Sequence, residues 1–243
     1  VLFVWLLVNV GTPRFAQGKL LKRWGVRTLQ PLLVAGCVVL ASILPWTIRN
    51  YRVYDSFLLL NSNTGYAMYS AQHPMHGTDF QEHAAAPLPE ELLRGEPLTE
   101  TGWDRALMER GIDFVVADPV RYLRLSASRL LDFFEFWPTP DTPLLHNVGR
   151  LVSFTAFLPF MMYGSVLAMG DSLRRAKSLV GLLREPPVLL LGFCAFYTLL
   201  HVLTWAMPRY RIPVDAVMMP FAALGVLNLY QGLQRRVRWL PEL

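Results

Sequence analysis

Charge is the scarcest commodity in this 243-residue chain. Only 17% of the residues are Asp, Glu, Lys or Arg, against about a quarter in an ordinary globular domain. With 53% apolar residues beside it, that shortage excludes a disordered or fibrous chain and argues against a purely soluble one. Cysteine is nearly absent: Cys37 and Cys194 are the only two. Each lies within an apolar run, and two isolated thiols have no spacing that supports a disulfide or a metal centre, so both read as packing residues. There is no G-x-S-x-G, Walker or dinucleotide-binding signature, no internal repeat and no low-complexity tract. The chain also lacks an initial Met. Its first ten residues, VLFVWLLVNV, are too short for a span, which takes about 20 residues. They also lack the basic start and cleavage site of a signal peptide. They read as the tail of a truncated membrane helix, and the chain as a fragment.

What the chain does have is long apolar runs. Residues 29–48, 148–169, 187–207 and 212–233 each approach the length needed to cross a hydrocarbon core of about 30 Å. The expected fold is mainly α, a polytopic transmembrane helix bundle of four full spans plus one truncated, with an extracytoplasmic, mostly helical insertion. The charges assign its sides. Residues 11–28 carry Arg14, Lys19, Lys22, Arg23 and Arg27 with no acid. Residues 170–187 carry Arg174, Arg175, Lys177 and Arg184 against Asp171 and Glu185, and the tail carries Arg235, Arg236 and Arg238. By the positive-inside rule these stretches are cytoplasmic. Residues 49–143, with 8 Arg against 14 Asp and Glu, belong outside. Three regions follow: 1–48 with its cytoplasmic loop 11–28, an extracytoplasmic 49–147, and 148–243 with three spans and a basic cytoplasmic tail. The net charge of +5 is therefore a topology signal, and the lipid bilayer rather than nucleic acid is the expected partner.

Within the outer region, Tyr51–Leu60 suits a short strand or an interfacial turn, and Asn61–Gly65 is a turn cluster. Ala84–Pro97 reads as loop with one helical turn. Thr101 and Asp104 have the spacing of a capping box, and Asp118-Pro119 places an N-cap before a first-turn proline. From there Val120, Leu123, Ala127, Leu130, Leu131 and Phe134 recur at helical spacing, with Arg121, Arg124, Ser128, Asp132 and Glu135 on the other face. The run Phe133–Pro138 closes this helix with aromatics suited to a headgroup layer. Two readings compete: a helix lying on the outer membrane surface, or one packed on its own soluble domain.

Polar constellations gather where spans meet the outside. Pro45-Trp46-Thr47-Ile48-Arg49-Asn50-Tyr51-Arg52 ends one span, and His146 and Arg150 share a face at the start of another. Arg209-Tyr210-Arg211 fills a tight hairpin of about four residues between the last two. Guanidinium groups pair bidentately with phosphate and stay charged, so Arg209, Tyr210, Arg211, Arg49 and Asn50 are the candidate substrate-binding residues for a lipid-linked phosphate. The plain alternative is that each Arg anchors a helix end by snorkelling, with Arg211 and Asp215, four apart, forming a structural pair. His73, His76 and His83 match no defined metal pattern and read as exposed loop histidines. Nothing marks Asp55, Asp79 or Asp141 as a base. No metal and no cofactor is expected.

The string PWTIRNYRVYDSFLLLNSNTGYAMYSAQHP resembles a segment of bacterial integral-membrane glycosyltransferases of the GT-C class. Within that class the likeness is to glycosyltransferase family 39, the protein mannosyltransferases and aminoarabinose transferases. The chain keeps Pro45, Trp46, Arg49, Asn50, Asn63, Gly65, Tyr66, Tyr69 and Pro74 of the family pattern. It departs at Thr64, where Gly is usual, and at Ala71-Gln72, where Gly-Asn is usual. Asp118–Trp137 is similar to the family's helix ending in Phe-Trp, and RYRIPVDAVMMPFAALGV to its last motif, with Ala216 in place of a usual Pro. The resemblance spans roughly residues 30–227. It implies inverting transfer of a sugar from a polyprenyl-phosphate donor to a lipid, glycan or protein acceptor on the outer face of a bacterial inner membrane. The resemblance further implies that the general base, an Asp of the first external loop, lies upstream of Val1, leaving donor-phosphate contacts to Arg209, Arg211 and Arg49. Rival readings are a transporter or flippase fragment, a non-catalytic membrane scaffold and a polymerase of the O-antigen type. Transporters place polar groups at the bilayer midplane, whereas these charges lie at span ends.

Overall fold

The structure is a computed structural model that describes residues 21–81, 84–95, 97–138, 140 and 142–237. The apolar run 1–10, the whole basic stretch 11–28, His83, Asp141, Arg236 and Arg238 lie outside the residues whose side chains are described. Among the described residues every regular element is helical and there is no strand. The expected mainly-α architecture is therefore present. Among the described residues, four helices are long and apolar enough to cross a membrane: Leu33–Tyr54, Leu144–Arg175, Pro186–Leu203 and Pro208–Arg235. The chain is thus an integral membrane protein by its helices, and its exposed Leu, Val and Ile side chains along these segments are the surface that lipid would cover.

The chain divides into two compact units. The first contains α1 (Leu21–Tyr54), α2 (Thr64–Gln72), α3 (Glu90–Arg94), α4 (Glu100–Ala117) and α5 (Pro119–Phe133). It also includes residues 200–207, the last turn of α9 (Pro186–Leu203) and the segment after it. Its centre is the α2–α4 pair, which two glycines allow to touch at backbone distance. A Cβ on Gly65 would lie 1.7 Å from the Asp104 carbonyl oxygen, and one on Gly111 would lie 2.8 Å from Met68 backbone. Tyr69, Ala86 and Leu107 form the adjoining core, flanked by Tyr66, Trp103 and Phe114.

The second unit holds α6 (Leu144–Arg150), a π-helical turn over Leu151–Thr155, α7 (Leu158–Arg175), α8 (Leu179–Leu183), most of α9 and α10 (Ile212–Val237). Here α7 packs on α10, again through glycine: a Cβ on Gly164 would meet the Phe221 carbonyl oxygen at 1.8 Å, and one on Gly225 the Phe160 carbonyl oxygen at 2.7 Å. Small residues at such crossings are how membrane helices approach closely, because lipid supplies no hydrophobic drive between them. Phe154, Met161 and Ala222 form the core beside this crossing.

Three local expectations change. Of the strand and the turn open for Tyr51–Leu60, the strand does not form: α1 continues through Arg49 and Arg52 to Tyr54, and Asp55 then turns the chain with a φ of 48°. The cap of α4 is Thr99, whose hydroxyl accepts from the Gly102 N–H at 3.2 Å. Asp104 serves elsewhere, accepting from the Gly65 N–H at 2.6 Å, where a carboxylate suits the positive end of α2. The last hairpin is longer than four residues, since α9 stops at Leu203 and residues 204–207 are not helical before a 3-10 turn at Pro208–Arg211. Pro208 pushes Met207 out of the α region, which keeps this segment from joining the 3-10 turn as continuous helix.

Candidate functional site

The family-like string at the end of α1 has a structural job. Trp46, Thr47 and Asn50 lie at helical spacing on one face, and together they hold the returning chain. The Trp46 indole N–H donates to the Leu60 carbonyl at 2.6 Å, and the Thr47 hydroxyl to Leu59 at 2.9 Å. The Asn50 amide donates to Leu60 at 2.9 Å and Leu58 at 3.3 Å. Asn50 is buried and committed to the backbone. Arg49 stays at the surface. It is exposed, lies 5.1 Å over the Trp46 ring and donates to the Asn50 side-chain oxygen at 3.2 Å.

The Arg209-Tyr210-Arg211 triplet splits in the same manner. Arg211 is buried, its Nε 3.1 Å from Asp215 and its Nη1 donating to the Glu135 carbonyl at 3.2 Å. Its guanidinium sits 3.5 Å over the Phe154 ring, which the π-helical turn presents. The structural pair with Asp215 is therefore formed. Arg209 is exposed, and its guanidinium lies 5.4 Å over Tyr210 with no hydrogen bond among the described residues. Arg150 likewise is spent on protein, pairing with Glu135 at 2.9 Å and donating to the Trp137 carbonyl at 3.3 Å. His146 beside it is exposed. Of the five predicted ligands, then, Arg49 and Arg209 present cations outward, one in each unit, Tyr210 is half-buried beneath Arg209, and Asn50 and Arg211 are built into the protein.

His73 and His76 are turn elements, and His76 is buried rather than exposed as the sequence suggested. His73 Nδ1 accepts from the Met75 N–H at 3.2 Å, and the ring packs edge-on against Tyr69 and Phe114. His76 is buried, with Nε2 2.9 Å from the Ser70 carbonyl and Nδ1 accepting from the Gln81 N–H at 3.3 Å. Burial lowers the pKa of both, with Arg121 adding to the effect at His73. Both are thus held neutral, with the His76 proton on Nε2. Among the described residues no group of three or more His, Cys, Asp or Glu is placed to hold a metal ion.

One cluster escaped the sequence reading. Arg129, placed by none of the motifs, is fully buried on α5. It donates to the carbonyls of Ala71 and Val202 and to the Gln72 side-chain oxygen, and lies 4.9 Å over the Phe80 ring. Arg121, two turns earlier, donates to the Gln72 carbonyl at 2.7 Å. The Tyr122 hydroxyl donates to the Leu203 carbonyl at 3.1 Å. The two arginines thus sit on the C-terminal ends of α2 and α9, where unpaired carbonyls and the helix dipole favour a cation. Burial presses the Arg129 pKa down to about 10, against the pull of Tyr122 and Asp132, so the group stays charged at neutral pH. Its i, i+8 spacing from Arg121 with Leu125 between them was the available signal, but an arginine on an amphipathic helix reads by default as solvated.

No protein-family model, curated protein or solved structure matches this chain.

Proposed function

We propose that this chain works in a membrane glycosyltransferase that moves a sugar from a polyprenyl-phosphate donor to a lipid, glycan or protein acceptor, at the outer face of a bacterial inner membrane. The support is the ordered set of family-like motifs between Pro45 and Val226, together with the outward-facing Arg209 at the start of the last span. In this reading Arg209 contacts the donor phosphate. A guanidinium there stabilises the lipid phosphate as it leaves with growing negative charge. Arg211, paired to Asp215 and stacked on Phe154, positions the turn rather than the phosphate. Asn50 does the same for the segment after α1. The general base is assigned to no residue of this chain.

The test is transfer from a radiolabelled polyprenyl-phosphate sugar, measured with the full-length protein in liposomes. Arg209→Ala lowers transfer by about 100-fold, the scale of removing a preorganised charge contact at the reacting phosphate, and Arg209→Lys recovers part of it. A well-folded Arg209→Ala protein with unchanged transfer overturns the phosphate assignment. Absence of any transfer by the unmodified protein across a panel of such donors overturns the enzyme reading.

A further inference from the structure

Helix α5 is amphipathic the wrong way round for a water-facing surface. Its most buried polar group is a cation, Arg129 at 0% exposure, while Val120, Leu123 and Leu131 stand 59%, 64% and 61% exposed. Leu130 and Ala127 are exposed on the same stripe. In a soluble domain the hydrophobic effect would turn this stripe inward, since fully burying a Leu or Val side chain is worth about 1.5–3 kcal/mol. Here the inward face is Leu125, Ser126, Arg129 and Phe133.

The inward face also fixes the helix in height. Arg129 and Tyr122 donate to the carbonyls of Val202 and Leu203, and the Phe133 ring stacks on His201 at 6.1 Å. These three partners form the last turn of α9, an apolar candidate span of 18 residues. At about 1.5 Å per residue such a helix is about 27 Å long, close to a hydrocarbon thickness of about 30 Å, so its last turn lies at the membrane boundary. A helix bonded to that turn lies at the boundary too, and its exposed stripe faces away from the protein.

From these observations we propose that α5 is a membrane-surface helix, whose stripe of Val120, Leu123, Ala127, Leu130 and Leu131 is covered by the acyl-chain and headgroup boundary of the bilayer. Arg124, exposed at the edge of the stripe, lies where its long stem can cross apolar surface while its charge reaches lipid phosphate. The buried Arg129 is then the fastener that joins the surface helix to the end of a span. The membrane outcompetes a second copy of the chain as the occupant, because the contacts to α9 set this face at the boundary in every copy. The proposal does not depend on the chain being a transferase.

Nitroxide collision rates with oxygen and with a water-soluble nickel chelate test this directly. The chain is reconstituted in phospholipid nanodiscs in a Cys37→Ala, Cys194→Ala background and labelled at Leu123→Cys, at Leu131→Cys or, as a water-facing reference on α4, at Glu109→Cys. The two α5 sites show an oxygen-to-nickel ratio several-fold above that of Glu109→Cys. A ratio equal to the reference overturns the proposal, as does shielding from both reagents with dipolar broadening between labels, which marks a second copy. Should a leucine substitution fail to give folded protein by circular dichroism, Val120→Cys on the same stripe carries the measurement with the same two outcomes.

Discussion

Among the described residues each unit of this protein buries one arginine against one aromatic ring, and the two differ in how the charge is answered. Arg211 is answered by a carboxylate, Asp215, at 3.1 Å. Arg129 makes no salt bridge among the described residues and is answered by the carbonyl ends of two helices and one amide. The first is a local, sequence-adjacent solution, because four residues along a helix bring the partners onto one face. The second is a tertiary solution, in which residues from positions 71, 72 and 202 converge on one side chain. Local pairing leaves a trace in the sequence, whereas convergence of backbone carbonyls leaves none.

The sharpest way to break this comparison is to remove the charge from each side. Arg129→Met strands the carbonyl ends of α2 and α9 without a donor, and buried unsatisfied groups cost about 1–3 kcal/mol each. It destabilises the first unit by about 4 kcal/mol, and Arg129→Lys restores only part of this because three donors on one nitrogen do not reproduce the planar fork of the guanidinium, which here uses both terminal nitrogens. In the second unit Asp215→Asn leaves Arg211 buried without its counter-charge and costs about 3 kcal/mol. The double variant Arg211→Met, Asp215→Leu recovers most of that loss, since a buried pair is often replaceable by apolar groups of like volume. Thermal unfolding in detergent measures all four. If Arg129→Met is as mild as the double variant, the carbonyl cage is not what holds the first unit together.

Next in size are the glycine crossings, which the two units share. Gly65→Ala and Gly164→Ala both drive a methyl group against a backbone carbonyl, at 1.7 Å and 1.8 Å on the unrelaxed backbone. Neither clash is with the tip of a flexible side chain, so the helix pair must separate, at a cost of about 2–3 kcal/mol. Gly36→Ala on α1, where an added Cβ meets nothing within 4 Å, is the neutral control. Equal melting temperatures for Gly164→Ala and Gly36→Ala would show that α7 and α10 do not cross at backbone distance.

The sequence showed the fold more fully than the site. Span existence and helix type follow from apolar runs about 20 residues long, and the Asp118 cap of α5 is formed, its carboxylate accepting from the Arg121 N–H at 2.9 Å. Boundaries were less visible, because the helical continuation through Arg49 and Arg52 overrides the polar character that reads as a span end. Thr101 and Thr99 are two residues apart with equal capping chemistry, and only the contact of Asp104 with Gly65 decides between them. At the site, type alone put Arg209 and Arg211 together as phosphate ligands. Their difference is one of burial: Arg211 has Asp215 four residues along and Phe154 beneath it, while Arg209 has neither. The periodicity of Val120, Leu123 and Leu131 identified an apolar face but not which way it turns, because periodicity is blind to whether water or lipid lies beyond it.

The smallest effect separates the units by pH. In the first unit His73 and His76 carry folded-state pKa values below the ordinary histidine value of about 6.5, through burial. A depressed pKa means the unfolded chain binds protons that the folded unit does not, so stability is fully present above about pH 6.5 and falls as the pH drops through the folded values. Melting curves between pH 7 and pH 5, above the range where most carboxylates titrate, therefore show a falling midpoint. His76→Gln keeps a side-chain N–H for the Ser70 carbonyl and an oxygen for the Gln81 N–H, and it flattens the slope. Adding His73→Gln flattens it further, because both groups titrate in the same direction. A slope unchanged in the double variant would mean that the acid sensitivity arises elsewhere, and that these two rings, although packed in turns, are not held neutral by the fold.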